Sequence, residues 1–189
     1  GMSVAVYDTV TNRIDHVWSR TDSGEASFVK YFYDSAGKLV YTLTGSSRTE
    51  VENVSGISPL NVTVLTEEDI DSILTAGMSL SVYDTQYDRI DHVWSRNDGG
   101  EISITKYFYS DDGDVVYTLT GQTRSSVENI TGITIDNVLT LNESEINSYL
   151  GNDMSLSVYD VDNEWVDHVW SKDSGGDTSF TAYHYNGSG

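Results

Sequence analysis

The strongest constraint on this chain is that it contains itself. Met2 opens the run MSVAVYD, and Met78 and Met154 each open MSLSVYD, a spacing of 76 residues both times. Residues 2–77 and 78–153 align without a gap and are identical at 42 of 76 positions. A third copy starts at Met154 and runs 36 residues to Gly189. Self-similarity at a fixed period means one supersecondary unit used repeatedly, stabilised by its neighbours. The sequence therefore divides into repeat unit 1 (2–77), repeat unit 2 (78–153) and a truncated repeat unit 3 (154–189). Gly1, ahead of Met2, reads as a tag remnant outside the fold.

Within a unit the first half is strand-like. Ser3–Asp8 and Ile14–Arg20 alternate and are rich in Val, Tyr, Ile and Trp, with Thr9-Val10-Thr11-Asn12 between them, so they predict a hairpin. Asp22-Ser23-Gly24 turns the chain into Ala26–Tyr33, and Asp34-Ser35-Ala36-Gly37 turns it into Lys38–Thr44. In the second copy that last turn contains Asp112-Gly113, suited to the positive φ of a tight hairpin. Each complete unit thus opens with a four-stranded antiparallel meander. Unit 3 keeps strands at Ser155–Asp160, Val166–Lys172 and Thr178–Tyr185 and lacks the fourth.

The second half is different. Arg48–Val54 predicts a short helical turn, and Asn61–Leu65 an irregular or extended stretch. A clear helix follows: Thr66 caps it, Glu67, Glu68 and Asp69 sit at its positive end, and Ile70, Ile73 and Leu74 share a face. Gly77 is the expected stop. Unit 2 repeats the pattern with Asn142, Glu143, Glu145, Ile146, Tyr149, Leu150 and Gly151. The fold class is mainly β with short helices (α+β): a meander plus one short helix per 76-residue unit, tandemly repeated.

Composition excludes several functions. Thirty acidic residues face ten basic ones, for a net charge of −20. Unit by unit the counts are 11 against 5, 13 against 4 and 6 against 1, so the charge is spread as −6, −9 and −5. Such a polyanion repels phosphate, which argues against nucleic acid as a partner. No Cys is present, so there is no disulfide framework, thiolate metal site or thiol nucleophile. No apolar run approaches 18 residues, which predicts no membrane insertion. The start has neither the basic nor the apolar region of a signal peptide. An acidic, Cys-free chain suits the outside or surface of a cell first, and the cytoplasm of a salt-adapted organism second. Five Asn-x-Ser/Thr sequons, at Asn53, Asn61, Asn129, Asn142 and Asn186, match the abundance of Ser and Thr, and no glycosylation is predicted.

The most repeated segment is Asp-His-Val-Trp-Ser, at Asp15–Ser19, Asp91–Ser95 and Asp167–Ser171. Strand alternation puts His16 and Trp18 on one face with Ile14, and Asp15 and Val17 on the other. Adjacent Asp and His are therefore expected apart. Two readings of His16, Trp18, His92, Trp94, His168 and Trp170 stand side by side. They form the core, with the three Trp in equivalent environments, or they form one polar-aromatic ligand site per unit. No nucleophile-elbow pattern, EF-hand spacing or zinc cluster occurs, so no catalytic residue, metal ligand or cofactor is assigned. The acidic loops Asp160–Glu164 and Asp111–Asp114 read as solvated turns.

Tyr33-Asp34-Ser35-Ala36-Gly37-Lys38-Leu39 resembles the YD (Rhs-type) repeat of bacterial surface and toxin-shell proteins, whose core runs Y-D-x-x-G-R-L. Tyr7-Asp8 with Arg13-Ile14 is a looser echo. Unit 2 departs from the pattern at Tyr109-Ser110 and Asp114-Val115. The resemblance implies β-hairpin packing in an exported protein and carries over no functional residue.

The expected function is a non-enzymatic structural or binding module. Its ligand would be a glycan or a protein, and one alternative is a multivalent carbohydrate-binding protein with one Trp/His/Tyr site per repeat. The other is an enzyme with a single site between repeats. Unit 3 lacks a fourth strand of its own, so the edge of Thr178–Tyr185 predicts a homodimer through sheet extension.

Overall fold

The structure, a computed structural model, describes residues 1–163 and 165–185. The protein is mostly antiparallel β-sheet with a few short helices. It divides into two compact units, Gly1–Ser103 and Ile104–Gly189.

The first unit holds β1 (Met2–Tyr7), β2 (Ile14–Arg20), β3 (Ala26–Tyr33), β4 (Leu39–Gly45), β5 (Ser79–Asp84) and β6 (Arg89–Arg96). Each pairs antiparallel with the next in chain order. The turns follow from their residues. Asp8 Oδ1 accepts the amides of Val10 and Thr11 at 2.9 and 2.7 Å, which lets Asn12 take φ 55°. Gly37 closes the β3–β4 turn at φ +85°, a conformation that a side chain disfavours.

Between β4 and β5 the chain crosses one face of the sheet. It forms α1 (Arg48–Glu52), a 3₁₀ turn (Val62–Val64) and α2 (Glu67–Ile73). The stretch expected to be irregular or extended at Asn61–Leu65 contains this 3₁₀ turn. The cause is Asn61: its Oδ1 accepts from the Ser58 amide and its Nδ2 donates to Gly56 O, both at 2.8 Å, which winds the loop and buries Val62. Thr66 caps α2 in a reciprocal box with Asp69. The expected stop at Gly77 is corrected. The cap is Leu74, in extended backbone and 1% exposed. The Arg96 guanidinium takes the end carbonyls of Asp71 and Leu74 at 2.7 and 2.8 Å, so no left-handed glycine is needed there.

This crossing covers the apolar face. Phe28, Tyr41, Leu43, Leu80, Val82 and Trp94 are buried on the strands, and Val51, Val62, Leu65, Ile70, Leu74 and Met78 are buried above them. Each helix is too short to persist alone and depends on this contact. The opposite face is half-buried and hydroxyl-rich. One registered row across it reads Val17, Val29, Thr44, Ser79 and Ser95.

The pairing of β4 with β5 sets Leu43 opposite Leu80 and Tyr41 opposite Val82. These residues lie on either side of the sequence boundary at 77/78. The sheet runs straight through that boundary.

The second unit contains β7 (Ile102–Tyr109) from Ile104 onward, β8 (Val115–Gly121), β9 (Met154–Asp160), β10 (Trp165–Lys172) and β11 (Thr178–Ala182), again paired in chain order. Between β8 and β9 lie α3 (Arg124–Glu128), a 3₁₀ turn (Val138–Thr140) and α4 (Glu143–Tyr149). Asn142 caps α4 with Glu145, and α4 ends at Leu150 rather than Gly151. Here Lys172 Nζ donates to the carbonyls of Asn147 and Leu150 at 2.9 and 3.1 Å. The strand expected to reach Tyr185 ends at Ala182, and the Tyr183 amide still donates to Asp167 O at 2.9 Å. The sequon at Asn186 and the loop residue Glu164 lie outside the described residues. Among the described residues no helix is long and apolar enough to cross a membrane.

Candidate functional site

The repeated Asp-His-Val-Trp segment forms a local structure that alternation does not predict. In each copy the register slips by one residue beside it. Val6 lies opposite His16 and Tyr7 opposite Ile14, so Asp15 is an extra residue, a β-bulge. Asp91 and Asp167 are extra in the same way, between Ile90 and His92 and between Val166 and His168. A bulge breaks the two-residue period and brings two successive side chains toward one side. The expectation that Asp and His stay apart is therefore wrong. Nδ1 of His16, His92 and His168 donates to Oδ2 of Asp15, Asp91 and Asp167, at 2.6 Å each time. The same slip takes Ile14 out of phase with His16 and Trp18.

These pairs lie in packed surroundings. His16, His92 and His168 are all buried. The ring of His16 packs on Phe28 at 5.1 Å, and that of His168 on Phe180 at 5.3 Å. Lys30 lies directly across from His16 in the sheet, and its ammonium is 3.6 Å from Asp15 and 3.5 Å from Glu52 on α1. Glu52 is in turn bonded by Arg48 Nε at 2.9 Å. The His16 hydrogen bond and the Lys30 charge hold the Asp15 carboxyl below its ordinary value, against a smaller opposing push from burial. The cluster ties the bulge of β2 to β3 and α1. An Asp–His pair can orient an imidazole for proton transfer, but the rings of His16 and His168 lie against phenyl groups and that of His92 lies edge-on to the Trp94 indole.

The three tryptophans are not equivalent, which corrects the expectation. Trp94 is 0% exposed, and its indole N–H has no hydrogen-bond partner among the described residues. Trp18 and Trp170 are half-buried and pack on Phe28 and Phe180 at 4.7 and 4.5 Å. β2 is the neighbour of β1, every residue of which is exposed, so Trp18 lies near the rim of its unit. Trp94 lies deeper, with the end of α2 anchored two residues away by Arg96. A fully enclosed Trp94 offers no ring to a sugar.

Among the described residues no group of three or more His, Cys, Asp or Glu is disposed to hold a metal ion. Open pockets lie within the units. One of about 420 Å³ in the first unit includes Asp34, Tyr83, Asp84 and Asp91. One of about 320 Å³ in the second lies between Val115 and Tyr159. A third, about 250 Å³, is lined by Asp160, Trp165, Asp167, Tyr183 and Tyr185. Sequence reading missed this last group. Its signal was an exception inside the repeat: Trp165 stands where units 1 and 2 have Arg13 and Arg89.

No family model matches the chain, and no curated protein matches it. Among solved structures it is similar to a chain of the Photorhabdus luminescens Tc holotoxin pore, with 12% identity and a TM-score of 0.34. That match covers 98% of this chain and 10% of the other, so this chain spans a tenth of that protein's length.

Proposed function

We propose that this chain is a non-catalytic structural module, in which a 76-residue unit adds strands to a sheet and covers them with its own helical crossing. The observation that carries this reading is how the most repeated residues are used. His16, His92 and His168 are buried against aromatic rings or paired in bulges, and Trp94 is enclosed. Identity between the copies is thus spent on building the sheet. The strands of one copy pair with those of the next, Leu43 to Leu80 and Leu119 to Leu156. In this reading the copies are not separate beads, and the spread of negative charge keeps the array soluble.

The reading opposes a lectin with one Trp site per repeat. A glycan array together with indole fluorescence during sugar titration tests it. The expected result is no saturable signal that depends on Trp18, Trp94 or Trp170. Saturable binding abolished by Trp18→Ala in a variant that stays folded would replace the structural reading with the carbohydrate one.

A further inference from the structure

The internal copies act as controls for one another at the pocket beside Trp165. In the first unit the matching place is filled by cations of the chain itself. The Arg13 guanidinium lies 5.5 Å from the centre of the Tyr33 ring. It is packed so tightly over the turn that a Cβ on Gly37 would come within 1.7 Å of it. Its charge helps hold the Asp8 carboxyl ionised, after the larger effect of hydrogen bonds from Thr11 and Val10. Lys30 supplies a second cation, 3.6 Å from Asp15. Two carboxylates thus each have a cation near them, and one of those cations covers an aromatic face.

In the third copy the carboxylates and the tyrosine stay and both cations go. Asp160 and Asp167 match Asp8 and Asp15, and Tyr185 matches Tyr33. Tyr185 keeps its position, since its hydroxyl donates to Val166 O at 3.0 Å as that of Tyr33 donates to Ile14 O at 2.9 Å. Arg13 is replaced by Trp165, and Lys30 by Ala182. The indole packs on Tyr185 at a tilt of 46°, with ring centres 4.5 Å apart. The outcome is a pocket of about 250 Å³ walled by Trp165, Tyr183, His184 and Tyr185, with Asp160 and Asp167 at its margin. Among the described residues the ion-pair partner of Asp167 is the imidazole of His168, with no Lys or Arg.

We infer that this pocket binds a small organic ammonium ion, which supplies beside Asp160 and Asp167 the positive charge that Arg13 and Lys30 supply in the first copy. Aromatic faces attract a cation through their quadrupole, and the attraction is strongest for indole. The two carboxylates add Coulomb attraction and select against anions. The size suits an alkylated ammonium group such as that of choline, whose weak hydration lets it leave water for an aromatic wall. A ligand that carries its own phosphate beside the ammonium meets repulsion from Asp160 and Asp167.

The test is a titration of the full chain, followed through the Trp165 indole and the Tyr185 amide by NMR. The ligands are choline, its neutral carbon isostere 3,3-dimethylbutan-1-ol, and phosphocholine. Choline is expected to shift both resonances saturably, the isostere to leave them in place, and phosphocholine to bind more weakly. Ala182→Lys and Trp165→Arg restore the residues of the first copy at exposed or half-exposed positions. Each is expected to weaken choline binding by about tenfold, the scale of one cation–π or charge contact, with the other indole resonances unmoved. Equal shifts from the isostere, full choline affinity in both variants, or phosphocholine binding as tightly as choline would each overturn the assignment. So would the absence of any choline-dependent shift at Trp165.

Discussion

Trp18 and Trp94 have the same five residues before them and the same two after them, and the structure gives them different work. Trp94 is enclosed, while Trp18 is half-buried. Trp94→Ala removes a whole core side chain and is expected to cost about 3–5 kcal/mol. Trp18→Ala is expected to cost less than half of that, because solvent already reaches its ring. Urea denaturation of the two variants checks the contrast, and equal losses would contradict it. Tyr41 gives a second expectation at this scale. Its phenol is buried and its pKa is pushed up to about 12 from the ordinary 10.0. The folded chain therefore keeps Tyr41 neutral where the unfolded chain ionises it. Stability from this group is fully present below about pH 10 and lost as pH rises from 10 toward 12, at up to about 1.4 kcal/mol per pH unit. Tyr41→Phe keeps the stack on Phe32, 4.3 Å between ring centres, and removes the ionisation. It is expected to unfold at a higher pH than the wild type, and an unchanged alkaline midpoint would count against the burial argument.

At the scale of elements, α2 depends on its first turn. Thr66 Oγ1 accepts the Asp69 amide at 3.3 Å, and Asp69 Oδ2 accepts the Thr66 amide at 2.9 Å. Thr66→Ala is expected to cost about 1 kcal/mol, read as a lower urea midpoint with an unchanged slope. Thr66→Asn, which imitates Asn142 at the start of α4, is expected to recover most of that loss. Caps of this kind were legible in the sequence, because the capping residue and its partner are local. So were the spans of β2 and β3, which match the alternating runs Ile14–Arg20 and Ala26–Tyr33 residue for residue. The bulges at Asp15, Asp91 and Asp167 were not legible. A bulge is a property of two strands in register, and nothing in Ile-Asp-His-Val states that its partner strand is one residue short. That is why the Asp–His pairs were assigned to opposite faces. The helix ends were missed for a related reason: the groups that complete them, Arg96 and Lys172, lie more than twenty residues away in sequence.

At the scale of the whole molecule, the question is what the unit of cooperativity is. Sequence identity marks boundaries at 77/78 and 153/154, whereas the hydrogen bonds of β4 with β5 and of β8 with β9 cross them. The sequence showed four strands followed by a helix. It did not show that the fifth strand would pair with the fourth, because that depends on where the chain lands after crossing the sheet. Native-state hydrogen exchange measures this directly, since amides that open together share one opening free energy. The amides of Thr42 and Thr44 on β4 and of Ser79 and Ser81 on β5 are expected to exchange with the same opening free energy and the same denaturant dependence. A distinctly lower free energy for residues 2–77, with a break at Gly77 and Met78, would show the copies opening as separate domains and would contradict the proposed scaffold.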